Sequence, residues 1–243
     1  MRFEICVDNM SSIETAVKAQ VDRVELCSAL AVGGLTPSYG FLKQAMRFSS
    51  VEHHVMIRPR AGDFCFAPSE IAMMRDDIQT AKALGAHGVV LGALTANGQI
   101  DIKACEQFIQ AADGMEVTFH RAFDLCNDAE KALEQIIELG FTRLLTSGQA
   151  KTAWLGREKI AQLIAQSRGR IAIMPGAGVT SDNVLDIIRE TGASDIHFSA
   201  KMKQDKRAHH NGVSMGSQSE SDNCLIQTDL NEVLNIKQAL INY

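Results

Sequence analysis

His120, Arg121 and Asp124 put an imidazole, a guanidinium and a carboxylate into one string, Thr118-Phe119-His120-Arg121-Ala122-Phe123-Asp124. An imidazole so placed can act as general acid or base, with Glu4 or Glu25 as its partner and Asp124 as an orienting group. Arg58 and Arg60 flank Pro59 and, with Arg121, offer fixed positive charge to an anionic substrate. Gly176-Ala177-Gly178 precedes the helix starters Thr180, Ser181 and Asp182. A loop of that kind can hold an anion on backbone N–H groups and a helix N-terminus. Thr146, Ser147, His197 and Ser199 join these as candidate substrate contacts. Cys6 and Cys27 each follow a glutamate by two residues and are candidate ligands for a soft ion such as Cu(I). On adjacent strands, about 4.8 Å apart, two sulfurs could share a two-coordinate ion, with Met56 and His120 assisting.

Groups scattered this widely need a scaffold that returns them to one place. Val117 and Phe119 alternate with Thr118 and His120, the period of a strand with one apolar face, and Leu125 to Leu139 follows as a helix opened by Asn127 or Asp128. The same unit recurs along the chain. Ser11 and Ser12 open a helix through Ala19, Thr36 and Pro37 open another to about Met46, and a long helix runs from Ser69 to Leu84. Leu84 to Gly92, Leu139 to Ser147 and Thr191 to Ser199 each read as a helix end, a glycine cap and a short buried strand. A seventh strand spans Ile171 to Met174. Eight such units in a chain of 243 residues fit a single α/β domain over 1–243, a (β/α)8 barrel whose usual size is about 250 residues. A polar loop is expected over 201–227, and a closing helix within 228–243.

Strand parity places the chemistry. The apolar set (Phe3, Ile5, Val7, Val24, Leu26, Val55, Ile57, Val117, Phe119, Ile196, Phe198) must face the helices. The lumen then receives Glu4, Cys6, Glu25, Cys27, His54, Met56, Arg58, Arg60, Thr118, His120, His197 and Ser199, far more polar than the usual branched aliphatic layers. Glu4 and Glu25 are expected to pair with Arg58 or its neighbours, since unpaired buried charges cost several kcal/mol each. The bland alternatives are a structural ion-pair network, cysteines acting as small hydrophobes, and a core histidine at 120. His53 and His87 read as surface residues, as do His209 and His210.

A formal net charge of −5 and a pI near 5.8 argue against nucleic acid or an anionic membrane as partner. The first residues enter a strand at once and lack the apolar core of a signal peptide. Six cysteines without a tight framework suit a reduced, cytoplasmic protein.

Several strings, among them Val24-Glu25-Leu26-Cys27, Gly33-Gly34-Leu35-Thr36-Pro37-Ser38, Met56-Ile57-Arg58-Pro59-Arg60-Ala61-Gly62-Asp63-Phe64, Thr118 to Asp124 and His197-Phe198-Ser199-Ala200, resemble those of the CutC copper homeostasis family. The resemblance runs from Glu4 to about Met215. It implies a cytoplasmic (β/α)8 barrel, a homo-oligomer such as a dimer or tetramer, linked to copper tolerance and binding Cu(I). The residues themselves also leave open an enzyme acting on a small phosphate- or carboxylate-bearing substrate.

Overall fold

Short apolar-polar alternations closed by glycines and caps set the elements of this chain. The computed structural model describes residues 1–205 and 224–241. The first half runs β1 (Arg2–Val7), α1 (Met10–Lys18), β2 (Arg23–Leu26), α2 (Tyr39–Ala45), β3 (Glu52–Met56), α3 (Pro68–Ala83), β4 (Gly88–Leu91) and α4 (Ile102–Ala111). The second runs β5 (Glu116–Phe119), α5 (Ala129–Glu138), β6 (Arg143–Thr146), α6 (Arg157–Ser167), β7 (Ala172–Pro175), α7 (Val184–Thr191), β8 (Asp195–Phe198), β9 (Lys201–Asp205), β10 (Cys224–Thr228) and α8 (Leu230–Ala239).

Strands β1 to β8 form one parallel sheet in the order β7-β6-β5-β4-β3-β2-β1-β8. The N-terminal strand lies between β2 and β8, with Ile5 beside both Val24 and Phe198. β7 and β8 pack side by side to bring the ring round, although no ladder pairs them among the described residues. The architecture is the expected (β/α)8 barrel. Ile5, Val24, Val55, Val89, Phe119, Leu144 and Ile196 are all buried between the strands and a helical ring carrying Ile13, Ile78, Phe108, Leu133, Ile160 and Ile187. Each such side chain contributes about 1.5–3 kcal/mol on burial.

Helix starts differ from the sequence expectation where a side chain has another task. Asn9, not Ser11 or Ser12, caps α1 by accepting from the Ser12 amide, and the buried Ser12 hydroxyl instead accepts from the Thr228 amide. Thr36 accepts from the Arg58 amide, so Ser38 caps α2. A turn of 3-10 helix, Arg121–Leu125, intervenes after β5, and Asp128 caps α5. Asn183 precedes α7, and Asp229 caps α8. The stretch expected as a polar loop over 201–227 contains the antiparallel pair β9 and β10. His209, His210 and the Gly212 to Met215 string lie outside the described residues. His53 is not a surface residue. It is 1% exposed beneath the helices, and burial, aided by His87, pushes its imidazole down to about 4.

Candidate functional site

Strand stagger decides which side chains meet in a barrel. Cys6 pairs in register with Glu25, and Glu4 pairs with Arg23 on one side and His197 on the other. Cys6 and Cys27 therefore do not hold equivalent places. Cys6, Glu25 and His197 converge, with a ligand atom from each lying within 4.8 Å of the others. Cys27 sits one step further along β2, where its thiol donates to Glu25 Oε2 at 3.5 Å. Burial, and then the neighbouring Glu25, raise that thiol well above its ordinary range, so Cys27 stays protonated.

A ladder of ions lies below these groups, inside the barrel. Glu4 and Arg23 are both 0% exposed and paired. Arg23 also reaches Asp195 at 3.2 Å, and Asp195 accepts from Arg143 Nε at 3.1 Å. Arg143 ends at Glu116, 2.9 Å away near the opposite rim. The expected pairing of Glu4 and Glu25 with Arg58 is thus corrected: Arg23, from the same strand parity, serves Glu4. Arg23, Arg143 and Asp195 were missed as lumen residues although the alternation that placed Glu25 and His197 inward places them inward too.

Glu4 Oε1 lies 2.7 Å from His197 Nδ1, and His197 Nε2 lies 3.9 Å from Glu25 Oε2. Burial alone would raise the Glu4 carboxyl, but the His197 hydrogen bond and the Arg23 charge outweigh it and hold the group ionised far below the usual carboxylate range. Burial opposes the His197 imidazolium, yet Cys6, Glu4 and Glu25 around it raise it well above its ordinary value. Glu25, desolvated and beside the Glu4 charge, is pushed up to about 7 despite His197.

A cavity of about 800 Å³ opens over these groups at the carboxyl edge of the sheet. Cys6, Glu25, Met56, Arg58, His120 and His197 all line it. His120 Nδ1 accepts from the Ala122 amide, which leaves the ring proton on Nε2. Burial, then the Arg58 charge, push this imidazole down to about 3, so it is neutral. Arg58 is 5% exposed and donates to the carbonyls of Val32, Gly34 and Gly62. Gly33 at φ +92° lets the loop close on that guanidinium, and a Cβ there would lie 3.3 Å from Nη1. No carboxylate pairs with Arg58 among the described residues. The Phe64 ring lies 4.6 Å under its guanidinium and meets the His120 ring edge-on at 4.8 Å. Glu25 Oε1, His120 Nε2 and Arg58 Nε are all buried without a hydrogen-bond partner.

Other expected contacts hold the walls. Asp124 does not orient His120. Its carboxylate accepts from Thr146 Oγ1, the Ser147 amide and hydroxyl, the Gln149 amide and Arg121 Nε. Thr146 and Ser147 are fully buried in that knot, which fixes the loop after β6. Arg60 leaves the lumen, because β3 ends at Met56, and pairs with Glu70 and Asp63. Gly176 is sealed, since a Cβ there would lie 2.6 Å from Leu145 and 3.3 Å from His197. Gly178, Ser199 and the left-handed Ala177 and Ala200 do line the cavity. The start of α7 is already served, by Asn183 on the Thr180 amide and by Glu232 on the Ser181 amide and hydroxyl. Glu232, from α8, gave no sequence signal of this contact.

A profile of the CutC family matches residues 1–202. A family protein CutC from Glaesserella parasuis serovar 5 is 52% identical over 237 residues, covering 97% of each chain. One from Pasteurella multocida is 46% identical over 244 residues and covers 100% of both. The crystal structure of a protein from Streptococcus agalactiae, described as a candidate copper homeostasis protein CutC, superposes with a TM-score of 0.78 at 39% identity, over 81% of this chain and 97% of that one.

Proposed function

This chain belongs to the CutC family, and from that premise we propose that its barrel mouth binds a small anionic molecule and acts on it as an enzyme. One observation carries the reading. Glu25 Oε1, His120 Nε2 and Arg58 Nε are buried, lack partners and belong to residues lining one cavity. Buried polar atoms are normally satisfied, and leaving one unmade costs about 1–3 kcal/mol, so three at one cavity mark a place kept for a ligand. Arg58 supplies unneutralised positive charge, His120 a neutral donor and Glu25 an acceptor. The volume suits a small molecule, for which pockets of about 300–1,000 Å³ are usual.

The test is calorimetric titration with inorganic phosphate, pyrophosphate and small dicarboxylates against wild type and Arg58→Met. At least a tenfold weakening in the variant supports the reading; absence of binding by every anion refutes it.

A metal ion is the second reading, favoured by the meeting of Cys6, Glu25 and His197. Cys27 Sγ donates to Glu25 and stands outside the Cys6, Glu25 and His197 cluster, so this reading rests on Cys6 and not on a Cys6 and Cys27 pair. One sulfur, one imidazole and one carboxylate suit a borderline divalent ion better, and the Glu4 contact at His197 Nδ1 is the outer support such a ligand takes. Titration of Cu(I) and Zn²⁺ against a competing chelator, with Cys6→Ser and Cys27→Ser, separates the two donor sets. A cytoplasmic setting and a homo-oligomer belong to the same proposal, supported by six free thiols and by the apolar Val32 and Leu125, exposed at the cavity rim.

A further inference from the structure

We infer that the ligand is a small carbonyl compound bearing a carboxylate or phosphate, and that the site moves a proton at the carbon next to that carbonyl, with Glu25 as base and His120 as the donor to the carbonyl oxygen. The inference rests on the anionic-ligand reading above and adds the chemistry.

The arrangement of protons dictates it. His120 Nδ1 accepts from the Ala122 amide at 3.3 Å, so the free N–H is at Nε2, buried and without a partner in a residue that lines the cavity. A neutral imidazole fixed in that tautomer can donate one hydrogen bond to an oxygen and keep its proton. Glu25, on another strand lining the same cavity, has one oxygen tied to Cys27 and the other free. Its free oxygen can take a proton. Between such a base and such a donor, a carbonyl compound has its acidic C–H on one side and its oxygen on the other. The Arg58 guanidinium, clamped by three backbone carbonyls, has no carboxylate of its own among the described residues and so retains charge for an anionic substituent.

The step balances without a co-reactant. Glu25 removes a proton from the carbon beside the carbonyl. The C–H electron pair becomes a C=C bond, and the carbonyl π pair moves onto oxygen. That oxygen accepts the His120 Nε2–H hydrogen bond as its charge grows, which is where a preset donor lowers the barrier most. Protonated Glu25 then returns a proton to the same carbon as the oxygen pair re-forms the carbonyl, so that in heavy water the hydrogen at that carbon is replaced by deuterium. Phe64, packed between Arg58 and His120, keeps the donor and the cation at a fixed separation.

The experiment follows deuterium uptake from heavy water by proton NMR. The probes are dihydroxyacetone phosphate and glyceraldehyde 3-phosphate for the phosphate arm, pyruvate and hydroxypyruvate for the carboxylate arm, and dihydroxyacetone as the neutral control. Wild type is expected to exchange the protons beside the carbonyl of one anionic arm, and not those of dihydroxyacetone. Glu25→Gln and His120→Phe, each shown folded by circular dichroism, are expected to lose at least 100-fold of that rate. Arg58→Met is expected to weaken binding of the same probe with the smaller effect on bound-state exchange. Binding of a probe without exchange, or exchange that survives Glu25→Gln, overturns the inference and leaves the anionic-ligand reading standing. Failure of every anionic probe to bind overturns both.

Discussion

Replacing Arg23 by methionine removes the guanidinium that Glu4 and Asp195 share inside the barrel. Arg23 and Glu4 are both 0% exposed, and Arg23 also holds Asp195 at 3.2 Å. Methionine fills much of the same volume, so the loss is mainly electrostatic: two carboxylates keep their burial and lose one counter-charge between them, Glu4 being left with His197 and Asp195 with Arg143. Removing one partner of a buried pair costs about 3–5 kcal/mol. For a chain of this size that lowers the melting temperature by about 6–20 °C, at roughly 2–4 °C per kcal/mol. The effect carries a pH signature. In the wild type Glu4 is held below its ordinary value, so its contribution is present above about pH 4.5 and is lost as pH falls further. In Arg23→Met the carboxyl moves upward, the native state takes up a proton, and the penalty shrinks as pH drops from 8 to about 5. Urea unfolding followed by the fluorescence of Trp154, the single tryptophan, reads both quantities. Glu4→Gln/Arg23→Met should recover part of the loss, since no charge is then stranded at Glu4. A penalty under about 1 kcal/mol, or one equal at pH 8 and pH 5, would refute the placement of this pair.

Gly176→Ala drives a methyl to 2.6 Å from Leu145 Cδ1 and 3.3 Å from His197; thermal melts should show a loss of about 1–3 kcal/mol, with partial rescue by Leu145→Ala. Asp124→Ala strands the buried Thr146 hydroxyl and the Ser147 amide, so stability should fall by about 2 kcal/mol or more. Hydrogen exchange at Ser147 and Gln149 should accelerate in that variant; unchanged protection would contradict the knot described above. Below pH 6.5 the unfolded chain protonates histidines that the fold keeps neutral, at about 4 for His53 and about 3 for His120. The share of stability these two histidines contribute is therefore lost as pH falls through that window, with His120 accounting for about 3 kcal/mol by pH 4.5. Glu25 and His197, both raised by the fold, act in the opposite sense, so the histidine share is read by difference: from pH 7.5 to pH 4.5 the urea midpoint of His120→Phe should rise relative to wild type, and an unchanged difference would contradict the neutral buried ring.

The eightfold unit, the inward parity of Glu4, Glu25, Arg58, His120 and His197, and the mouth at the strand ends could all be read from alternation and caps, because those signals are local. Register could not. Cys6 and Cys27 look equivalent along the chain, yet the offset between β1 and β2 sets Cys6 beside Glu25 and leaves Cys27 one step beyond. The same limit applied to Asp124. Its neighbours in sequence suggested His120, whereas apart from Arg121 the groups it serves lie more than twenty residues away, at the end of β6 and on the loop after it. Arg60 failed for a different reason: alternation stops meaning anything once a strand has ended.

The position of β1 has a consequence for how the chain comes into being. Glu4 and His197 are 193 residues apart in sequence, and β1 needs β8 as well as β2 at its flanks. At roughly 5–20 residues per second, a ribosome delivers the second of these groups about 10–40 s after the first. Throughout that interval the nascent strand carries a carboxylate destined for the dry interior, still in contact with water. The ring can lock only when nearly the whole polypeptide has been made, which makes this a slow, end-to-end assembly.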